Sequence, residues 1–503
     1  MPESLRSMSL SALFAGLPAI LPEQDIEVTG LSLDSRQVRR GDIFLACRGA
    51  SVDGLDFAAA AIAAGAVAIV CDIAAAARAR ALLGSMASAV PLVTVDDLAR
   101  HIGPLAACFY AHPSRDPFVI GITGTNGKTS CSHYLAQVLS QREGGCGLIG
   151  TLGYGLYGQL GHGQHTTPDA VRLQEELAGI RAAGARYVVM EVSSHSLEQR
   201  RVDGVDFDTA VLTNLTHEHL DYHGDMERYA AAKQRLFMMP GLRFAVINHD
   251  DKFGRRLLAD LQRSGADKPK TLSFGFSAGA DIRGRINHID QQGFELRVDT
   301  PWGGGEVGSR LLGRFNASNL LATLASLLLT DMSLEQAIQG LNLVDAVRGR
   351  MEHFGGGRQP LVVVDYAHTP DALQQVLETL REHCRGRLWC VFGCGGNRDR
   401  GKRATMGAIA ERAADHVVLT DDNPRHESGD AIVKDILAGI SMPEKVVVER
   451  DRAEAIRLAV AEARADDVVL VAGKGHEEYQ MIGDQIFPFS DRRYVTDLLG
   501  EAA

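Results

Sequence analysis

The sequence predicts an α/β protein of three domains: a small N-terminal α/β domain (residues 1–96), a central domain with a mostly parallel sheet (97–346) and a C-terminal Rossmann-like domain (347–503). Three observations carry that prediction. A chain of 503 residues exceeds what one hydrophobic core supports. Short apolar runs alternate with helix-like segments, which is the order of a parallel sheet. One of those runs, FVIGIT, leads directly into a glycine-rich turn, GTNGKTS, of the kind that joins a strand to a helix.

In chain order, the strand-like runs DIFLAC, AVAIV and PLVTV and the Ala-rich helix around 58–65 form the first domain. The Ala-rich stretch 74–82 reads as helix, and a helical linker covers 97–110. In the second domain FVIGIT, RYVVMEV, DTAVLTN and RFAVIN alternate with helices. That domain closes with strand-rich sequence over 269–312 and helices beginning near Asn316 and Ser333. The third domain alternates LVVVD, RLWCVFG, HVVLT, KVVVE and DVVLVAG with helices near 371–383, 402–414, 430–439 and 452–464, a doubly wound order.

Composition narrows the function class. With 45% hydrophobic residues, a formal net charge of −11 and a pI near 5.9, the chain reads as a compact acidic enzyme without nucleic-acid or membrane-surface binding. Eight scattered cysteines lack zinc or redox spacing, Cys390 and Cys394 having three residues between them, so reduced thiols are expected. The opening MPESLRSMSLSALFAGLPAILPEQ is acidic near its front and its apolar run is broken by proline, which suits neither a signal peptide nor a membrane span. A cytoplasmic monomer is expected.

The turn GITGTNGKTS (121–130) is the most informative stretch. Its glycines let backbone amides approach a polyphosphate, and the following helix N-terminus favours anions. Lys128 can reach terminal phosphates and Thr129 can hold a magnesium ion. The spacing from Gly121 to Gly127 is one residue longer than the usual motif, so the match rests on Gly124, Thr125, Asn126, Gly127, Lys128 and Thr129. Two more strand ends supply candidate ligands. MEVSSH offers Glu191, an acid where a metal holder is expected, and TNLTHEHLDYHG crowds His217, His219, Asp221 and His223. An oxygen-rich site with one imidazole suits magnesium or manganese, whereas most of these histidines have structural roles open to them. Asn248, after RFAVIN, can bond a nucleotide or form a turn. In TDDNPRHES (420–428), Asp421, Asp422 and Arg425 flank a proline. Carboxylates accept from an ammonium and a guanidinium fork matches a carboxylate, so the set complements an amino acid's zwitterionic head, although a solvated turn uses the same residues.

GTNGKT, MEVSSH, TNLTHEHLDYHG, GRFNASN (313–319), GRME (349–352), DYAHTPDAL (365–373), DNPR (422–425) and GKGHE (473–477), in that order across all three domains, resemble the Mur ligases. The resemblance implies an ATP-dependent ligase of peptidoglycan synthesis. ATP phosphorylates a substrate carboxylate and an incoming amine displaces the phosphate. The central domain becomes a phosphate-loop ATPase domain, with Gly124, Thr125, Asn126, Gly127, Lys128, Thr129, Ser130, Asn248 and Arg350 meeting the nucleotide. Lys128, Lys233, His219, Asp365 and His368 match catalytic positions, and Thr129, Glu191, His219 and Lys233 match the Mg2+ site, Lys233 as a carbamate. The acceptor implied is UDP-N-acetylmuramoyl-L-alanyl-D-glutamate, met by Leu33 and Ser35 in LSLDSRQVRRGDIFLA and by Thr166, Thr167, Ser193, Gln199 and Arg201. The amine implied is meso-diaminopimelate, met by Arg398, Asp422, Asn423, Pro424, Arg425, Gly473 and Glu477. Two positions depart from the family's commoner form: His165, where Asn is frequent, and Arg348, where Pro is. Other readings stay open: the lysine-adding homologue, a folylpolyglutamate synthetase-like ligase, a nucleotide switch without catalysis, and a zinc hydrolase built on the histidines.

Overall fold

The computed structural model describes residues 7–17, 19–20, 25–49, 52–84, 90–163, 165–263 and 268–500. Of the opening segment read for a signal peptide, residues 1–6, 18 and 21–24 lie outside the described residues. The chain divides into two compact units, Met1–Ser273 and Phe274–Ala503.

Unit 1 contains two large sheets. The first runs in the order Ala19–Ile20, Leu92–Val95, Ala68–Asp72, Asp42–Leu45, Gly30–Ser32, parallel except at Ala19–Ile20. Strand alternation gives it two apolar faces. Ile43 and Leu45 enter one core cluster with Val70 and Val93, while Phe44 enters another with Ile69 and the helix Ala58–Ala64. The second sheet runs Gly153–Leu156, Cys146–Gly150, Tyr187–Glu191, Phe118–Thr123, Thr209–Leu212, Phe244–Asn248, with only Gly153–Leu156 antiparallel. Phe118–Thr123 is therefore central, and the register places Glu191 beside Ile122 and Leu212 beside Thr123. Three carboxyl-terminal strand ends converge there, which is where ligands bind in open α/β sheets.

The strand Lys270–Gly275 straddles the boundary, and within unit 2 its Phe274 and Gly275 pair with Ile282 and Arg283. An antiparallel meander follows, Ile282–Asp290, Gly293–Thr300 and Gly303–Ser309, then the helices Arg314–Leu327 and Leu334–Leu341. The boundary thus falls inside the stretch 97–346 read as one domain. His383 shows why these elements cluster with the C-terminal part of the chain: its Nε2 accepts from Gly313 N at 2.9 Å and its Nδ1 donates to the Asp290 carbonyl.

The main sheet of unit 2 runs Glu352–Gly355, Leu361–Asp365, Val468–Ala472, Leu388–Phe392, His416–Leu419, Val447–Val448, and all but the first strand are parallel. Helices cover both faces, so Leu361–Asp365, Leu388–Phe392 and Val468–Ala472 are buried along their whole length. The expected strand KVVVE is corrected to two residues. Val447 and Val448 lie exposed at the sheet edge, just after a tight turn at Pro443–Lys445. A hairpin, Tyr479–Ile482 with Gln485–Pro488, was not foreseen. No described helix is long and apolar enough to cross a membrane, and all eight cysteines carry free thiols.

Candidate active site

Gly124–Gly127 forms the turn between Phe118–Thr123 and the helix Lys128–Ser140. Gly124 and Gly127 have φ of +152° and +84°, and a Cβ on Gly124 would lie 1.8 Å from Thr213 Oγ1, so both backbone conformation and close approach require glycine. The turn is braced by the TNLT stretch that follows Thr209–Leu212. Thr125 N donates to Asn214 O at 2.9 Å, Asn126 N to Asn214 Oδ1 at 2.9 Å, and Thr213 Oγ1 to Asn126 O at 2.6 Å. Asn248, expected at the nucleotide, braces the turn: its Nδ2 donates to Thr213 O at 2.7 Å and its Oδ1 accepts from Asp250 N at 2.9 Å. Ser130 is buried on the first turn of the helix.

Two lysines meet at this turn. Lys128 Nζ donates to the carbonyls of Gly124 (2.9 Å) and Thr125 (2.8 Å). Lys233, on the helix Met226–Gln234, is 1% exposed and donates to Gly124 O at 2.8 Å. Its Nζ lies 4.5 Å from the Tyr229 ring centroid, and Tyr229 Oη meets Thr125 Oγ1 at 3.1 Å. Burial, reinforced by the charge of Lys128, pulls the Lys233 ammonium well below its ordinary pKa.

Glu191 is fully buried and accepts from neutral donors: Thr129 Oγ1 at 2.9 Å, Thr151 N at 2.8 Å and Thr151 Oγ1 at 3.2 Å. A hydroxyl and a carboxylate in contact at the helix N-terminus form a hard oxygen donor pair, which fits a magnesium ion. His219 sits in the left-handed region (φ 55°) before the short helix Leu220–His223. Its ring is 5.0 Å from that of His195, which also faces Tyr222 at 4.1 Å and His223 at 5.4 Å. Among the described residues no three His, Cys, Asp or Glu side chains are arranged to hold a metal ion. His195, His219 and His223 form a cluster of edge-on and tilted rings with Tyr222. His223 is buried between Ser194 Oγ (3.0 Å) and Glu198 Oε2 (2.9 Å), His217 is exposed, and only the backbone of Asp221 is described.

The residues expected at the sugar and peptide form one patch. Thr166 Oγ1 meets Thr151 Oγ1 at 3.1 Å, Thr167 Oγ1 donates to Glu191 O at 2.8 Å, and Ser193 N donates to Thr167 Oγ1 at 3.2 Å. Arg201 donates to Thr167 O (2.8 Å) and to Gln199 Oε1 (2.6 Å from Nη2), and Gln199 Nε2 donates to Tyr222 Oη at 3.0 Å. His165, one departure from the family pattern, joins through its main chain, its N donating to Tyr154 Oη at 3.2 Å. Leu33 packs on the N-terminal core and Ser35 is half-buried. They flank Asp34, which Arg36 pairs at 2.7 Å, so this turn braces itself.

In unit 2, Asp365 ends Leu361–Asp365 and accepts from Met351 N (2.7 Å) and Ala367 N (2.8 Å). Both carboxylate oxygens thus hold main chain, while burial pushes its pKa up against the pull of Arg350. Arg350 lies 4.7 Å from the Tyr366 ring centroid, and His368 Nδ1 donates to Tyr366 O at 2.8 Å. Arg348, the other departure, is exposed.

The loop after His416–Leu419 divides its charges differently from the sequence reading. Asp421 is bound bidentately by Arg450 (2.6 and 2.8 Å) and is withdrawn from any ligand. Asp422 and Asn423 are buried, the Asp422 carboxyl raised by desolvation against the pull of Arg452 and Lys474, and a Cβ on Gly473 would meet Asp422 Oδ2 at 2.5 Å. Asn423 Nδ2 donates to Glu477 Oε2 at 2.8 Å, and the fully buried Lys474, which the sequence reading passed over, pairs with the same oxygen at 3.0 Å. Arg425, after Pro424, has φ 52°, and its Nη1 donates only to carbonyls, Gly396 O at 3.0 Å and Asn423 O at 3.4 Å. The exposed Arg398 is on the neighbouring turn, its Cγ 3.6 Å from where a Cβ on Gly395 would stand.

Comparison with known proteins gives the family. Three family models match: Mur ligase family, catalytic domain (27–110), Mur ligase middle domain (122–327) and Mur ligase, glutamate ligase domain (349–475). The UDP-N-acetylmuramoyl-L-alanyl-D-glutamate--2,6-diaminopimelate ligase of Chromobacterium violaceum is 50% identical, covering 97% of this chain and 98% of its own. That of Coxiella burnetii is 48% identical, covering 93% and 94%. A solved structure titled as the same kind of ligase matches with a TM-score of 0.70 at 37% identity, covering 94% of this chain and 95% of its own. An ADP-bound folylpolyglutamate synthase of Mycobacterium tuberculosis matches in fold, with a TM-score of 0.60 at 20% identity, over 75% of this chain and 92% of its own.

Proposed function

The chain belongs to the Mur ligase family, and from that premise we infer that it is the ATP-dependent amide ligase that adds meso-diaminopimelate to UDP-N-acetylmuramoyl-L-alanyl-D-glutamate in peptidoglycan synthesis. In this reading residues 1–96 hold the uridine end, 97–346 the ATP and 347–503 the incoming amino acid. The γ-phosphoryl group passes from ATP to a free carboxylate of the acceptor, giving an acyl phosphate and ADP. The amine then forms the amide bond as phosphate leaves with the bonding pair of the broken C–O bond. The amide nitrogen gives up its proton. The work of the protein is positioning and charge neutralisation.

The turn amides and Lys128 cradle the phosphates. Thr129 and Glu191, with His219 and a carbamate on Lys233, would hold Mg2+, which when bound offsets charge on the transferring group. The observation that carries the reading is Lys233, an amine with 1% exposure resting on the carbonyl of the phosphate-loop glycine. A neutral buried amine is the form that attacks carbon dioxide, and a nucleotide switch has no use for it. Thr166, Thr167, Ser193, Gln199 and Arg201 take the sugar and peptide of the acceptor, beside Leu33 and Ser35. Arg425 and Arg398 take the second carboxylate of diaminopimelate, with Asp422, Asn423, Gly473 and Glu477 around its ammonium. A cytoplasmic monomer fits substrates made inside the cell.

The test is product identity. The protein is incubated with ATP, Mg2+ and the UDP-muramyl dipeptide, and is offered either meso-diaminopimelate or L-lysine. Mass spectrometry should find the diaminopimelyl product with one phosphate released per bond. Equal use of lysine, or phosphate release without an amide, overturns the reading.

A further inference from the structure

We propose that Gln480 is a specificity-determining positioning residue: from the hairpin Tyr479–Pro488 it fixes the backbone of the 421–425 loop and thereby aims Arg425. This rests on the reading of Arg425 as the group that meets the second carboxylate of diaminopimelate.

The loop leaves the end of a buried strand and turns sharply, with a non-glycine residue in the left-handed region at Arg425. That conformation is strained for an L-residue, so neighbouring contacts must hold it. The hairpin supplies them. Arg425 N donates to Met481 O at 3.0 Å, Gly483 N to Arg425 O at 2.7 Å, and Met481 N to Asn423 Oδ1 at 2.9 Å. On the hairpin side these are all backbone donors and acceptors, which mutation alters little, and on the loop side only Asn423 Oδ1 is a side-chain atom. Gln480 is the side-chain member: its Nε2 donates to Asp422 O at 2.9 Å and Asp421 O at 3.4 Å. It thus grips the two peptide groups immediately before Asn423, while Arg452 Nη1 reaches Asp421 O at 3.3 Å from elsewhere. A binding group must be held within about 0.5 Å and 10–20° of its productive geometry to keep its contribution. Rotation of the Asp422–Asn423 peptide would swing Arg425 at the end of a long side chain, away from the groove where Gly395 and Gly396 leave it room. A Cβ on Gly395 would come within 2.9 Å of Arg425 Nη1. Gln480 touches no reacting group in this arrangement and acts through the arginine.

The experiment measures KM for diaminopimelate, ATP and the UDP-muramyl dipeptide, together with the preference for diaminopimelate over L-lysine. The proteins are the parent, Gln480→Leu, Gln480→Glu, Arg425→Ala and the double variant Gln480→Leu/Arg425→Ala. Gln480→Leu is expected to raise the diaminopimelate KM about five- to tenfold and to lower the preference by the same factor, with the other two KM values within about twofold. Gln480→Glu keeps the length but turns an acceptor toward two carbonyls, so the same rise or more is expected, and it serves if the leucine variant does not fold. In the Arg425→Ala background Gln480→Leu should add less than about twofold, because the arginine it aims is gone. If Arg425→Ala raises the diaminopimelate KM but neither Gln480 variant does, the proposal falls and the reading of Arg425 stands. If Arg425→Ala changes nothing, that reading itself fails and the proposal with it. A parallel rise in all three KM values, or full additivity in the double variant, makes Gln480 a support of the fold alone and overturns the proposal.

Discussion

The phosphate-loop turn of unit 1 and the 421–425 loop of unit 2 solve one problem with opposite materials. Each presents cations resting on main-chain carbonyls: Lys128 and Lys233 on Gly124 and Thr125, Arg425 on Gly396 and Asn423. A cation that rests on neutral acceptors keeps most of its attraction for an incoming anion. What differs is the frame. The side chains bonded to the Gly124–Gly127 turn are neutral, those of Thr213, Asn214 and Tyr229, and the Glu191 carboxylate stands beyond the turn, on Thr129. Around the 421–425 loop the frame is built of ion pairs: Asp421 with Arg450, Glu477 with Lys474, and Glu427 with the fully buried Arg403. A triphosphate carries several charges, so frame charges nearby would compete with it or repel it. A single carboxylate is a smaller signal, and in the proposed reading ion pairs that satisfy one another leave Arg425, with Arg398, to meet it.

The comparison breaks most severely at Lys233. Lys233→Ala is expected to lower turnover about 10²–10³-fold, with partial recovery when a short carboxylic acid is added to the assay buffer. Failure of every small acid to restore activity would remove the carbamate from the argument. Next comes Arg425→Ala, with a rise in the diaminopimelate KM of about 30- to 150-fold, as loss of a charge-assisted contact of about 2–3 kcal/mol requires, and an ATP KM that stays put. An unchanged diaminopimelate KM would leave the loop a structural element with no part in reading the amino acid. Asn214→Ala sharpens the neutral side of the contrast. It removes one side-chain acceptor for Asn126 N and one donor to Asn126 O, so steady-state kinetics should show an ATP KM about fivefold higher with the amino-acid KM unaffected.

The smallest expected effect is a pH dependence in unit 2. Burial, with Arg350 adding to it, pushes the His476 imidazole down to about 4 from 6.5. Its folded-state pKa lies below the unfolded one, so the unfolded chain binds more protons between those values. Stability is therefore full above pH 6.5 and declines as pH falls toward 4. Thermal unfolding between pH 7 and 5.5 should show the parent losing about 1 kcal/mol more than His476→Gln. Equal losses would mean that this ring does not set the slope.

What could be read in the sequence divides along the same line. The phosphate loop was legible because its parts are neighbours in the chain, glycines, Lys128 and Thr129 within one strand-turn-helix unit. The buried strands were legible because LVVVD, RLWCV and DVVLV are continuous apolar runs, as sheets covered on both faces require. Asp421 was misread because its partner Arg450 lies 29 residues away, and nothing in DDNPR says which of two adjacent acids will be taken. The strut formed by Asn248 was not legible for a similar reason, since the carbonyl it holds belongs to Thr213. The brace Thr213-Asn214 stood inside a quoted motif and was overlooked because the histidines beside it drew the reading toward metal chemistry. KVVVE failed as a full strand because β-branched residues state a preference for extended backbone but not a place in the sheet, and an edge offers a pairing partner on one side only.

The place of Val468–Ala472 between Leu361–Asp365 and Leu388–Phe392 also governs how the chain can be made. Those two strands are synthesised first, yet neither has its inner neighbour until residue 472 is in place. At about 5–20 residues per second, translation from residue 392 to residue 472 takes roughly 4–16 s, during which two apolar strand edges wait unpaired. Chains truncated before Val468 are therefore expected to expose two unpaired strand edges and to pellet on centrifugation where the full chain stays in the supernatant.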